Sequence, residues 1–519
     1  MKTRKKEILI FSIVIIIQTI IFIAMGASKT YIHMDEGYSL GLANYDKVEI
    51  QDSEDFYNTW HNGEYYEDYL AVQDKDVENW SQVYENQKND VHPPLYYLLL
   101  RFFMGFSVNT FSMWPGIILN IIIYAFVTLF MYLITQKIFK NKEKAMLISF
   151  ISSIIIASLT TVIYIRMYAL STLNILITTY LHMKLLDKEE IDIKLLVVIG
   201  ISALVGSLTH YYYLFYLAMI YLIFVIKYIK EKKFKALICY TAAMLIAGAL
   251  SLIIFPYSIK HMFFGYRGQG AISNLTNISA FLTSIGLYLV KVNSYCFNNM
   301  LIMLIVIIIC GKIYKRKNNL DSREESNKYV KIMLLPTIFY FIIVSIASPW
   351  IELRYIMPIC GCIFVLVMYA IYQILGYMLI EKERNIALVI ILITILLMPI
   401  ATNMESEALY LDKKEIVEQL SGDLNVPTLY LFNSSHNRFL DDIYLFSILD
   451  ESYVAKDIDC THENIKQILD GKDISKGTVV FINPGQENDE LLKVIKEAMN
   501  LSEWSYLKRL NACDVYYMK

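Results

Sequence analysis

The chain has 519 residues, 56% of them hydrophobic and 18% charged, and a mean hydropathy of +0.44. That is far more apolar than a soluble globular domain, so the composition implies a polytopic membrane protein. A formal net charge of -2 leaves no global basic field for a nucleic-acid partner. The seven scattered cysteines form neither a disulfide framework nor a zinc pattern, and Cys360 and Cys362 read as small hydrophobes within a span.

A basic start, Met1 to Lys6, precedes the apolar run Ile8 to Ala27. At about 20 residues this run is longer than a signal-peptide core and reads as a retained anchor. Lysine and arginine mark cytoplasmic loops, so each later loop is assigned a side by its charge. Ser28 to about Met113 is then an outer loop, acidic and aromatic, with Tyr65-Tyr66-Glu67-Asp68-Tyr69 at its centre. Within it, Leu95 to Phe106 is too short to span and carries Arg101, which predicts an interfacial or re-entrant helix.

Trp114 to Gln136 returns to Lys137, Lys140, Lys142 and Lys144; Ala145 to Ile163 leaves, Ala169 to Leu186 returns and Ile193 to Leu208 leaves. Leu214 to Ile226 comes back to the basic loop Lys227 to Lys235, and Ala236 to Phe255 goes out to a second outer loop, 256–296, with another interfacial helix expected at Phe281 to Val290. Phe297 to Gly311 re-enters at the basic 312–331 loop; Ile332 to Ala347, Ile356 to Leu379 and Ile386 to Ala401 complete about eleven spans. The pattern puts a multi-pass protein in the cell (plasma) membrane, its N-terminus cytoplasmic and its C-terminal domain extracytoplasmic.

Composition divides the chain into a transmembrane domain, 1–402, and a small soluble α/β domain, 403–519. In the latter, strand-like Thr428 to Phe432 and Thr478 to Ile482 alternate with amphipathic Phe439 to Leu449 and Asp489 to Met499. Gly471 and Gly477 make no phosphate-cradling loop, so a structural or acceptor-positioning module is expected.

The polar motifs fall at the outer ends of the spans. In Asn89-Asp90-Val91-His92-Pro93-Pro94-Leu95-Tyr96-Tyr97 two prolines remove two donors, fix φ twice and hold His92 extended ahead of a helix. Asp35 and Glu36 follow the first span; Arg166, Tyr168, Thr209, His210, Tyr211, Arg354 and Tyr355 fall in later outer loops. Each has a structural reading beside a chemical one: Asp35-Glu36 as a first-turn pair, His92 as a bonded buried imidazole, His210 as aromatic packing. Arg166 and Arg354, between apolar spans, must hold an anion or pair with an acid.

Asp90-Val91-His92-Pro93-Pro94-Leu95 with the upstream Asp35-Glu36 resembles the protein O-mannosyltransferases and their bacterial relatives, the family 39 glycosyltransferases of the GT-C fold. Arg166-Met167-Tyr168, Thr209-His210-Tyr211-Tyr212 and Arg354-Tyr355-Ile356-Met357-Pro358 resemble their later signatures in the same order, and the resemblance extends to about Ala401. It implies an all-α GT-C membrane domain with interfacial helices, transferring a sugar from a polyprenyl-phosphate donor to an extracytoplasmic acceptor by inverting displacement. Asp35 and Glu36 take the catalytic positions, with Asp35 as general base. The implied donor-phosphate and substrate contacts are His92, Arg166, Tyr168, Tyr211, Arg354 and Tyr355. The eukaryotic members carry a lysine where this chain has Tyr97, so that phosphate contact is either missing or taken over by Arg101. Glu36, His92 and His210 are the positions at which a divalent metal is permitted, though not required. Membrane lipid is a further partner. The eukaryotic sugar-binding β-trefoil domain has no counterpart, so the acceptor is left open among glycan, lipid and protein. A transporter or flippase of envelope precursors is the rival reading, but the acids lie in outer loops rather than at mid-membrane and no repeat is present.

Overall fold

The computed structural model describes residues 2–276, 278–319, 327–432, 438–456, 460–483 and 488–519, so the centre of the basic 312–331 loop lies outside the described residues. The chain forms two compact units: Met1–Ala27, Asp90–Tyr96 and Ile117–Glu407 in the first, and Ser28–Asn89, Tyr97–Gly116 and Ala408–Lys519 in the second.

The first unit is helical. Among the described residues seven helices are long and apolar enough to cross a membrane: Lys5–Ala27, Trp114–Phe139, Tyr213–Lys230, Phe234–Ile254, Lys328–Ala347, Met357–Leu375 and Glu381–Thr402. Counting each of two bent pairs as one span raises the number to nine, fewer than the eleven expected from charge alternation. The difference has physical reasons. The Ile193–Ser207 helix has only 15 residues, which is about 22 Å of rise against a hydrocarbon core of about 30 Å. The Leu301–Lys317 helix ends in Lys315, Arg316 and Lys317, and Tyr168–Leu186 is interrupted by Asn174, four Ser or Thr positions and His182.

The expected span Ala145 to Ile163 is two helices, Lys142–Ile154 and Ile156–Ile163, bent by 57°. Serines make the break tolerable: Ser152 and Ser153 return their hydroxyls to the carbonyls of Ser149 and Phe150. Ser158 Oγ donates to Ser152 O at 2.7 Å, a carbonyl that the extended Ile155 leaves without its helical partner. The segment 256–296, expected as a loop, is also more helical than expected. A π-helical turn at Lys260–Phe264 leads to Tyr266–Thr276, and a 20-residue helix, Ile278–Phe297, replaces the short interfacial piece predicted at Phe281 to Val290.

The second unit is a six-stranded sheet with helices on it. Its strands are β1 (Trp60–His61), β2 (Thr428–Phe432), β3 (Ser452–Lys456), β4 (Thr478–Ile482), β5 (Trp504–Arg509) and β6 (Asp514–Met518), in the order β1-β3-β2-β4-β6-β5. The central β3, β2 and β4 are parallel and the outer pairings antiparallel. β2 and β4 are buried at every position, which is why they read as continuous apolar runs. Leu429, Leu431, Val480 and Ile482 pack with Ile465, Leu492 and Ile495 of the helices His462–Ile468 and Asn488–Met499.

The opposite face is covered by the segment Ser28–Asn89. Tyr66, on the Gly63–Leu70 helix, meets Phe439 at 5.7 Å and Phe446 at 5.4 Å, and its hydroxyl receives the Ser452 hydroxyl at 2.9 Å. The same segment supplies β1, which pairs with β3 at Trp60 to Tyr453. The boundary drawn at 402/403 by composition therefore differs from the compact units. The apolar change at Asn403 marks where the chain leaves its last long helix, whereas residues 28–89 bury their aromatics against the module that follows it. The amphipathic stretch Phe439 to Leu449 is also not one helix but a 3₁₀ turn, Phe439–Asp441, and a single turn, Ile443–Phe446.

Candidate active site

In the first unit, a chain of contacts fixes the Asp90-Val91-His92-Pro93-Pro94 segment. After the prolines, Leu95 N–H donates to Leu208 O at 3.1 Å, tying the segment to the turn that carries His210. Tyr96 Oη donates to Asn120 Oδ1 at 3.3 Å, and Asn120 Nδ2 donates onward to Val162 O and Tyr164 O at 3.1 and 2.9 Å. Asn120 thus satisfies carbonyls at the end of Ile156–Ile163, just ahead of Arg166. The His210 turn is held from the Tyr168–Leu186 helix, where Asn174 Nδ2 donates to Thr209 Oγ1 at 2.9 Å.

The result is a polar cluster. Asp90 Oδ2 lies 2.9 Å from His92 Nδ1; an ionised carboxylate only accepts, so Nδ1 carries the proton and the ring is oriented as in acid-imidazole pairs. The His92 ring lies 6.1 Å from that of His210, which lies 5.6 Å from Tyr168. Arg166 is 5% exposed in the turn between its two helices. Burial raises the Asp90 carboxyl, but His92 and then Arg166 outweigh it and hold it below the ordinary carboxylate value. His210 is held well below the usual imidazole value by burial, aided by the charges of His92 and Arg166, and is neutral. Tyr211 Oη is bonded to His261 Nδ1 at 2.9 Å, and Tyr212 N–H donates to His210 Nδ1 at 3.1 Å.

Arg354 extends the cluster. Its Nη1 donates to Tyr164 Oη at 3.4 Å, its guanidinium lies 5.2 Å from the Tyr355 ring and 6.0 Å from Trp350, and Tyr164 stacks on Tyr168 at 6.2 Å. Tyr355 is buried, its carbonyl accepting from Tyr340 Oη at 2.9 Å and its ring 6.0 Å from Tyr212. Of the expected residues, His92, Arg166, Tyr168, His210 and Arg354 are joined by these contacts. Asp90 and Tyr164 are additions; the motif spacing, two residues ahead of His92, was the available signal for the first.

Asp35, Glu36 and Arg101 lie in the second unit. Asp35 opens the Met34–Asn44 helix, where its N–H donates to His33 Nδ1 at 3.1 Å and its carboxylate lies 3.8 Å from the same nitrogen. The Asp35 side chain is 16% exposed. Glu36 is not a second reaction-facing acid or a metal ligand: it is fully buried, both oxygens bind Lys29 Nζ at 2.9 and 3.0 Å, and Oε2 also accepts His33 N–H at 2.9 Å. Arg101 Nη1 donates to Ala43 O and Asn44 O at 2.8 and 3.2 Å, capping the helix that Asp35 starts. Among the described residues no three His, Cys, Asp or Glu side chains gather as a metal site. With Glu36 committed to Lys29, the expected Glu36, His92 and His210 set does not fit a metal ion.

Packed against the Asp35 helix are two further acids, Asp441 and Asp442, with Gly37 close to Leu440 O and Ile443. Burial foremost, with the charge of Asp35 adding and Arg438 and Lys413 opposing, pushes Asp441 up to about 6. Burial and then the charge of Asp441 push Asp442 up to about 7.

The helical membrane body and the α/β module have the GT-C type of fold, with the arginine-histidine cluster in the first unit. Residues 91–257, which hold His92, Arg166, Tyr168, His210 and Tyr211, match the family model of dolichyl-phosphate-mannose-protein mannosyltransferases. The fold is similar to that of ArnT from Cupriavidus metallidurans in its structure bound to undecaprenyl phosphate: TM-score 0.51 and 8% identity, over 98% of this chain and 97% of that one. The apo structure of the same protein aligns over 99% and 98% with 10% identity and a TM-score of 0.49. Among curated protein sequences none matches at a significant level.

Proposed function

We propose that this chain transfers a sugar from a polyprenyl-phosphate donor to an acceptor hydroxyl on the extracytoplasmic side of the plasma membrane, by a single inverting displacement. The observation that carries the proposal is the Asp90–His92–His210–Arg166 cluster, three members of which lie in the stretch matching the mannosyltransferase family. A polyprenyl phosphate needs fixed cations for its phosphate and a lipid-accessible body for its tail. The ArnT structure similar in fold holds a ligand of that class.

In this reading Asp35 accepts the proton of the attacking hydroxyl. The bond from the anomeric carbon to the phosphate oxygen breaks as the new glycosidic bond forms, so negative charge grows on the departing phosphate. Arg166 and Arg354 stabilise that charge, and His92, its Nδ1–H directed to Asp90, presents its other ring edge to substrate. Tyr168, Tyr211 and Tyr355 bind donor phosphate or sugar. The N-terminus is cytoplasmic and the module after Ala408 extracytoplasmic. Glu36 and Arg101 support the helix that starts at Asp35.

Asp35→Asn tests the assignment. The sugar-bearing envelope lipid or glycan that distinguishes cells with the protein from cells without it should vanish, while the variant still inserts and folds. Unchanged product removes Asp35 from the mechanism. If no sugar-bearing product depends on the protein and precursor movement across the membrane does, the transporter or flippase reading takes its place.

A further inference from the structure

The residues that precede the Asp35 helix are tied to the segment after the last long helix by a set of buried bonds. Lys29 is fully buried in its side chain, and its ammonium uses all three protons: two on Glu36, at 2.9 and 3.0 Å, and one on Ala408 O at 3.0 Å. The Tyr410 ring covers it at 5.0 Å. Thr30 follows with its N–H on Leu409 O at 3.0 Å and its hydroxyl 3.1 Å from Leu409 O and 2.6 Å from Tyr410 O. Tyr31 Oη donates to Asp441 O at 2.7 Å, under the Lys413 ammonium at 4.9 Å from its ring. Tyr410 itself sits at φ +53°, a left-handed conformation that a tyrosine adopts only where its surroundings over-determine it.

These bonds converge on one backbone turn. Lys29 orients Glu36, Glu36 accepts His33 N–H, and His33 Nδ1 accepts Asp35 N–H. Every link between Lys29 and Asp35 is a hydrogen bond between groups at least partly buried, so rotation of the Asp35 turn requires breaking a bond to the ammonium or to a cap.

We propose that the module from Ala408 onward serves to hold the Asp35 turn in place, with Lys29 as the positioning residue that joins them. The inference rests on the reading of Asp35 as the base: the module contributes no group to the reaction but fixes where the carboxylate sits. The lysine ammonium supplies three donors from one nitrogen to a carboxylate and a carbonyl at once; a methionine of similar length would leave Glu36 buried and without this partner.

Hydrogen-deuterium exchange of the full-length protein in lipid nanodiscs, read by mass spectrometry, tests this without substrate. Lys29→Met should speed exchange of the 33–38 amides by about tenfold, leave Thr428–Phe432 and Thr478–Ile482 unchanged, and reduce the protein-dependent envelope product. Unchanged exchange at 33–38, or a rise of equal size in the strands, overturns the proposal. Should Lys29→Met fail to fold, Thr30→Val keeps the ion pair and removes only the hydroxyl bonds; it should produce a smaller rise at the same amides, and its absence is equally decisive. Asp35→Asn run in parallel separates the two readings. Retained product in Asp35→Asn defeats the base assignment while leaving the exchange result to judge the clamp; lost product with unchanged Lys29→Met exchange defeats the clamp alone.

Discussion

Replacing Asp442 by asparagine should flatten the pH dependence of the second unit's stability. Asp442 is fully buried, with Oδ1 3.5 Å from Tyr31 Oη and Oδ2 3.1 Å from Cys513 Sγ, and Asp441 beside it is 2% exposed. Burial and the neighbouring charge raise Asp442 to about 7, and burial raises Asp441 to about 6. A carboxyl raised on folding binds its proton more tightly in the folded state. Its stabilising contribution is therefore complete below the unfolded value near 4 and is lost as pH rises through 6 and 7. At about 1.4 kcal/mol per pH unit, Asp442 alone accounts for on the order of 4 kcal/mol between pH 4 and pH 8. Exchange of the β2 and β4 amides, corrected for the intrinsic base-catalysed rate, reads this locally. Wild-type protection should fall by roughly two to three orders of magnitude from pH 5 to pH 8, and Asp442→Asn should lose only about one order, the part that Asp441 contributes. Protection that stays flat or rises in the wild type would refute the reasoning, because it would mean that the buried pair is already charged at low pH.

Three further outcomes follow from the geometry. Arg101→Met uncaps the Ala43 and Asn44 carbonyls and should cost about 1–3 kcal/mol, read as a lowered melting temperature; an unchanged or raised value would mean that burying the guanidinium costs as much as its bonds return. Gly206→Ala places a Cβ against the ring of the buried Tyr213, whose hydroxyl is bonded to Thr178; overpacking of about 1–3 kcal/mol should appear as thermal destabilisation, and an unaffected melting temperature would show that the ring moves freely. Asp90→Asn removes the ionised partner of His92 at 2.9 Å and should reduce transfer by roughly 10- to 100-fold without loss of folded protein, measured as accumulation of the envelope product; full product would take the pair out of the site.

The membrane character, the helical first unit and the strands β2 and β4 were legible because burial on all sides leaves an unbroken apolar run. The residues around His92 stood out because prolines, an imidazole and arginines are chemically conspicuous in apolar surroundings. The bend at Ile155 was not, since no proline or glycine marks it and the serines that heal it look like ordinary helix serines. The joining of residues 28–89 to the last module was also hidden. Tyr66 and Trp60 read as loop aromatics until the sheet they cover, several hundred positions away, is folded beneath them. Glu36 shows the same limit at a single residue: a charge in a motif predicts chemistry, but a buried lysine binds both of its oxygens.

The most direct test of the central claim is donor use by the purified protein in lipid nanodiscs. A panel of polyprenyl-phosphate sugars should release free polyprenyl phosphate in the presence of envelope acceptor extract, for at least one sugar, and Asp35→Asn or Arg166→Gln should abolish the release. Release equal to wild type in both variants, or transfer from nucleotide sugars in the absence of any polyprenyl carrier, would contradict the account.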